Sequence, residues 1–252
     1  MNRRKFLFFG FLLLFALACS AVGGLVATPT PIPSPTKTPL PTNTPKPTAT
    51  PRPTSTPDVA ATQRYDDILT QVERFKEAGH IPTTQGKYIE LPEYHKEWAQ
   101  RQWSTREWYF DYEPESFVFT AHAKWSTAGP TSETSGCGIA FATQDDGRGY
   151  GIFLDKARIF FAYYDLKYYY ELGKTRGSGR LNFGNPAEAK FSLAVHDYKA
   201  YVYVDDVFIG EYSLSKDKPL KGYFGYGLIS GTNKDYGTRC DITDPRLWQI
   251  SP

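Results

Sequence analysis

The pattern of apolar and polar positions changes period along the chain. Phe6 to Ala18 is an unbroken run of thirteen apolar or small residues behind Arg3, Arg4 and Lys5. It is too short for an ordinary helix across a ~30 Å hydrocarbon core and fits the apolar segment of an export signal. Residues 28–57 have no apolar period at all. From Asp58 the period is helical: Tyr65, Ile68, Leu69, Val72 and Phe75 form one stripe. Asp58 is placed to cap this helix and Gly79 to stop it near Ala78. A short strand is expected at 87–90, while 93–103 fits either helix or irregular cover.

From Thr105 the period is two. Strands are expected at 108–110, 117–125, 137–143, 150–154, 158–164, 168–172, 190–196, 200–205, 207–214, 223–229 and 239–250, the last interrupted near Pro245. Turn residues separate them at Asp146-Gly147, Gly177-Ser178-Gly179, Asn185-Pro186, Asp205-Asp206 and Gly231-Thr232-Asn233. Many short strands at roughly ten-residue spacing, with no helices between them, predict an all-β antiparallel sandwich or barrel behind one amphipathic helix. Two and a half heptads are thin support for reading that helix as a coiled coil instead.

Composition divides the 252 residues further. Residues 28–57 hold eleven Pro and ten Thr, which cannot offset the entropy of folding and favour polyproline II. Fully extended, such a stalk reaches on the order of 90 Å at ~3.1 Å per residue. The whole-chain net charge of +2 is a sum of unlike parts. Setting aside Arg3, Arg4, Lys5, Lys37, Lys46 and Arg52 takes the cations from 29 to 23 against 27 acids, so residues 58–252 are formally −4. That balance argues against nucleic acid as a partner. The same residues hold 35 aromatics, the 40 Phe, Trp and Tyr of the chain less five leader Phe.

Ala16-Leu17-Ala18-Cys19 resembles the bacterial lipobox, which implies acylation of Cys19 and a lipid-anchored protein at the bacterial cell surface or in the periplasm. The alternative is an ordinary secretory signal with an incidental Cys. Asn2-Arg3-Arg4-Lys5-Phe6-Leu7 is similar to a twin-arginine signal, although the very apolar segment fits general secretion better. The reading divides the chain into a signal (1–19), a stalk (20–57), a helix with irregular cover (58–103) and a β domain (104–252). Several segments of the β domain, Phe191-Ser192-Leu193-Ala194-Val195 among them, have a familiar order. Ser135-Gly136-Cys137-Gly138-Ile139-Ala140-Phe141 precedes Gly149-Tyr150-Gly151-Ile152-Phe153-Leu154; Ala200-Tyr201-Val202-Tyr203-Val204-Asp205 and Gly222-Tyr223-Phe224-Gly225 follow; Pro245-Arg246-Leu247-Trp248 closes. Together they resemble the concanavalin A-like lectin/glucanase jelly roll, in its laminin G-like branch, across residues 104–250. Asp205-Asp206 stands where that pattern has Asn or Asp followed by Gly.

With Cys19 lipidated, Cys137 and Cys240 are left outside the cytoplasm and pair in one way, closing 103 residues. Two buried free thiols are the alternative.

No strand carries the alternating acids that sugar hydrolases of this fold use. Glu90, Glu93, Glu97, Glu113 and Glu115 are spaced like solvated charges, and His80, His95, His122 and His196 lack metal-ligand spacing. Asp145, Asp146, Asp205 and Asp206 could supply calcium oxygens, and laminin G-like domains often hold calcium at one rim; turn chemistry is the plainer reading. No other cofactor is expected. Rings capable of stacking on sugars are the best remaining signal: Tyr163, Tyr164, Tyr168, Tyr169 and Tyr170 around one hairpin turn, with Tyr201, Tyr203 and Trp125 as further candidates. The alternation puts Tyr168 and Tyr170 on one face and Tyr169 on the other. The sequence therefore leads to non-catalytic binding of carbohydrate or a cell-envelope polymer. A glycoside-acting enzyme or a protein-adhesion domain of the same fold are the alternatives.

Overall fold

A computed structural model describes residues 59–101, 103–109, 112–129, 135–155, 158–173, 181 and 183–251. The signal, the stalk, Cys19, the Asp58 cap and the Gly177-Ser178-Gly179 turn lie outside the described residues.

The helix α1 runs Val59–Glu77 and buries Ile68, Gln71, Val72 and Phe75. Its end follows from one glycine. Gly79 takes φ +74°, which places its N–H on the Lys76 carbonyl and the His80 N–H on the Phe75 carbonyl, both at 2.9 Å.

Strands follow as β1 (Gly86–Glu90), β2 (Tyr94–Trp98), β3 (Trp103–Tyr109), β4 (Phe117–Thr127), β5 (Gly136–Thr143), β6 (Gly149–Leu154) and β7 (Ile159–Tyr164). The remainder are β8 (Tyr169–Glu171), β9 (Ala187–His196), β10 (Lys199–Val204), β11 (Val207–Ser213), β12 (Tyr223–Ser230) and β13 (Thr238–Ile250). They form two antiparallel sheets, a jelly-roll sandwich. One sheet runs β1-β13-β4-β9-β10-β11, with β2 also on β13; the other runs β3-β12-β5-β6-β7-β8.

The segment 93–103, ambiguous in sequence, holds β2 and the start of β3. β1 pairs with the C-terminal part of β13 and β2 with its N-terminal part, so residues before 104 already belong to the sandwich rather than to irregular cover. β2 lacks a clean alternation because it is an edge strand, buried at Tyr94 and exposed over His95, Lys96 and Glu97. The break expected at Pro245 is a register shift between Thr243 and Arg246, after which pairing with β4 resumes. Asp205 and Asp206 make the β10–β11 turn without Gly, at φ +49° and +63°. Asp205 offsets that conformation by accepting the Lys190 N–H at 2.8 Å, and Asp206 pairs with Lys190 Nζ at 2.9 Å.

Between the sheets, Phe117, Phe119, Leu193 and Val195 meet Ile139, Phe141, Phe161 and Phe224. A Cys137–Cys240 disulfide joins β5 of one sheet to β13 of the other, with Cα atoms 5.3 Å apart. A closed loop of 103 residues is worth roughly 4–5 kcal/mol in the chain-entropy account. The stripe of α1 covers the outer face of the seven-stranded sheet over Val118, Ala194, Tyr201, Trp248 and Ile250.

Candidate ligand-binding cleft

The tyrosine-rich segment folds into the β7–β8 hairpin. Its register pairs Tyr163 with Tyr170 and Tyr164 with Tyr169, so the two pairs point to opposite faces. Asp165 builds the turn. Its Oδ1 accepts the N–H of Lys167 at 3.0 Å and of Tyr168 at 2.8 Å, and the Tyr164 hydroxyl donates to the Leu166 carbonyl at 2.7 Å. The backbone N–H groups of Tyr168 and Lys167, with the Tyr170 hydroxyl, hold the Asp165 carboxyl below its ordinary value.

The Tyr163/Tyr170 face opens into a cleft of about 260 Å³. Tyr150, Tyr163, Tyr170 and Leu172 supply its apolar walls, and Asp165, Ser215 and Lys218 its polar groups. Tyr150 closes the floor. Its ring stands 5.0 Å from Tyr163 at 66°, and its hydroxyl accepts the Ser215 N–H at 3.0 Å. Burial pushes its phenol up to about 12. Burial likewise raises Tyr163. The Lys218 ammonium lies 5.1 Å from the centre of the Tyr163 ring. Of the lining, Tyr170 is 52% exposed, and Tyr168 in the adjoining turn is 54% exposed.

The opposite pair lies on the outer face of the six-stranded sheet. Tyr164 and Tyr169 have ring centres 4.9 Å apart, and Phe160 and Phe153 extend the row. This face is low in side chains, with Gly225, Ala140, Gly151 and Ala162 in register across four strands. Ala140, Phe153 and Ala162 are buried there, while Tyr169 at its edge is exposed. Beside it Arg158 binds Asp155 at 2.7 Å and Glu171 at 3.0 Å.

Three ring candidates from the sequence lie away from this cleft. Tyr201 is buried, stacked 3.9 Å from His80 at 15°. Tyr203 packs edge-on to Phe75 of α1 at 5.1 Å and holds His80 Nε2 at 3.1 Å from its hydroxyl. Both lie on a strand face that alternation alone marks as open, and the helix with its C-terminal loop covers it. Trp125 is a core residue, 4.8 Å from Phe183 and in register with Cys240.

The calcium candidates are engaged by the protein itself. Asp145 accepts the Tyr223 hydroxyl at 2.9 Å, Asp146 pairs with Arg148 at 2.6 Å, and Asp205 and Asp206 hold the β10–β11 turn. Among the described residues no three His, Cys, Asp or Glu side chains gather to hold a metal. Of the acids weighed as catalysts, Glu97 binds Arg239 and Glu93 flanks His95 at 3.5 Å. The hydrogen bond from His95 to the Asp241 carboxylate raises the His95 pKa.

Sequence reasoning missed Tyr150, Leu172, Ser215 and Lys218 as lining. Tyr150 carries a weak signal, a large ring between Gly149 and Gly151 on the inward face of β6. Lys218 carries none, because the loop after β11 reaches the cleft only in three dimensions.

No protein-family model matches the chain, and no curated protein matches it. Among solved structures, a Bacillus subtilis protein of unknown function with a galectin-like fold is 11% identical, with a TM-score of 0.44 over 62% of this chain and 81% of that one. A carbohydrate-binding module, CBM66 from Bacillus subtilis, is 10% identical, with a TM-score of 0.35 over 63% and 88%. A β-glucanase from Bacillus licheniformis is 10% identical, with a TM-score of 0.38 over 59% and 71%.

Proposed function

We propose that the chain is a lipid-anchored extracytoplasmic module that binds carbohydrate or another cell-envelope polymer without cleaving it, through the Tyr163/Tyr170 cleft. One observation carries the reading: an apolar cleft walled by tyrosines, with an ammonium and a carboxylate in its lining. Aromatic walls suit the apolar faces of sugar rings, and the polar groups suit their hydroxyls. The non-catalytic part rests on the carboxylates. Asp165 is the one acid among the described residues that line the cleft, and its donors keep it ionised. Hydrolysis by this class of fold needs a second, proton-donating carboxyl at a fixed separation.

The anchoring part rests on Cys19 and the Thr/Pro stretch. Among the described residues no helix is long and apolar enough to cross a membrane. Two measurements test the proposal. The full chain on a glycan array is expected to bind a subset of glycans and to lose that binding as Tyr170→Ala; recovery of a protein partner with no glycan bound would favour adhesion instead. Fatty-acid labelling is expected in the parent and lost in Cys19→Ala; labelling that persists removes the anchor.

A further inference from the structure

The charges of the cleft narrow its ligand. Asp165 and Lys218 are the charged side chains among its described lining, and they are placed differently. The Asp165 carboxylate already accepts two backbone N–H groups and the Tyr170 hydroxyl. Its charge is committed to the hairpin turn. Lys218 has no ion pair among the described residues; the contact of its ammonium is the face of Tyr163. The nearby cation Arg148 is neutralised by Asp146 at 2.6 Å. An ammonium against an aromatic wall, partly withdrawn from water, favours an anion beside it.

Size narrows it further. About 260 Å³ lies under the roughly 300–1,000 Å³ of ordinary small-molecule sites. That is room for a single ring. The floor is shut by Tyr150, fully buried and fixed to the loop after β11 through Ser215. A closed floor suits the end of a chain better than a chain threaded through it. Outside, Tyr170 and Tyr168 present rings to whatever precedes that end.

Resting on the carbohydrate reading above, we propose that the cleft takes the terminal ring of a glycan and that this ring is acidic, its anionic group paired with Lys218 Nζ and its apolar face on Tyr163 and Tyr170.

The test uses the full chain, Lys218→Met and Tyr170→Ala on immobilised glycans in matched pairs, each pair ending in a uronic acid or in the parent neutral hexose. The wild type is expected to hold the acid-ended member more tightly, and added salt to narrow the difference. Lys218→Met is expected to weaken the acid-ended member about tenfold or more while leaving the neutral one unchanged. Equal binding of both members, or acid-ended binding that Lys218→Met does not alter, overturns the proposal while a loss in Tyr170→Ala still upholds the cleft. Absence of binding to every pair removes the carbohydrate reading and this proposal together. Thermal unfolding of each variant, expected to match the parent, separates lost contact from lost fold.

Discussion

Two tyrosine clusters stand on opposite sheets and meet opposite fates. Tyr201 and Tyr203 alternate with Val202 and Val204 on β10, and their side of the strand belongs to the outer face. Tyr168 and Tyr170 stand at a hairpin end on the other sheet. On composition both are rings placed to meet solvent. The first cluster is roofed by α1 and by His80, which stacks between Tyr201 and Phe208 at 3.9 Å and 5.4 Å. Among the described residues the second has no such roof, and Tyr170 stays 52% exposed. The difference shows that a ring becomes a binding surface through what fails to pack on it. The covering element comes from more than a hundred residues away in sequence, so strand alternation cannot report it.

That contrast predicts a division between stability and binding. The largest expected effect is on the covered side. Phe75→Ala removes a fully buried ring from the helix–sheet contact and is expected to cost about 3–5 kcal/mol in denaturant unfolding while the folded fraction keeps its ligand. Loss of ligand at unchanged stability would reverse the roles of the two clusters. Next is the tie between the sheets: Cys137→Ala with Cys240→Ala is expected to cost about 2–5 kcal/mol. A midpoint unchanged from the parent would show the bond to be dispensable.

Smaller in energy but sharper in meaning, Tyr170→Ala is expected to weaken glycan binding about tenfold or more. Its unfolding free energy is expected to change by no more than about 0.5 kcal/mol, as for an exposed site. Binding that survives this change would move the site away from the cleft. The smallest effect concerns pH. Burial lowers the His80 pKa from 6.5, against the pull of Glu211. The unfolded chain therefore takes up the proton first as pH falls. The contribution is intact above 6.5 and is lost as the pH drops through the lower folded value. Unfolding measured across that window is expected to lose part of its slope in His80→Gln. An identical slope in both proteins would show that the stacked imidazole is indifferent to its charge. Asp165, held below its ordinary value, is expected to leave cleft binding flat over the same window.

Much of the fold was legible because alternation is a local signal. Phe117, Phe119, Ala121, Ala123 and Trp125 share an inward face, as their period of two requires. The end of α1 at Gly79 was legible for a similar reason, since one residue type meets the left-handed requirement cheaply. β2 was not, because an edge strand rich in charge has no alternation to read. The cleft was half legible. Tyr163 and Tyr170 were marked by their density around one turn. Tyr150, Ser215 and Lys218 were not, because they reach the site from β6 and from the loop after β11.

By itself, the sequence determined an antiparallel sandwich or barrel behind one amphipathic helix, and it marked Cys137 and Cys240 as a candidate pair. It also set apart the apolar leader and the Thr/Pro stretch by composition. Tertiary structure alone decided which tyrosines stay open, which carboxylates are already committed and where an ammonium with no ion pair among the described residues meets an aromatic wall. The physical reason is range. Period, turn chemistry and chain entropy act between near neighbours in sequence, whereas exposure and charge balance depend on every group that packs nearby, however distant along the chain.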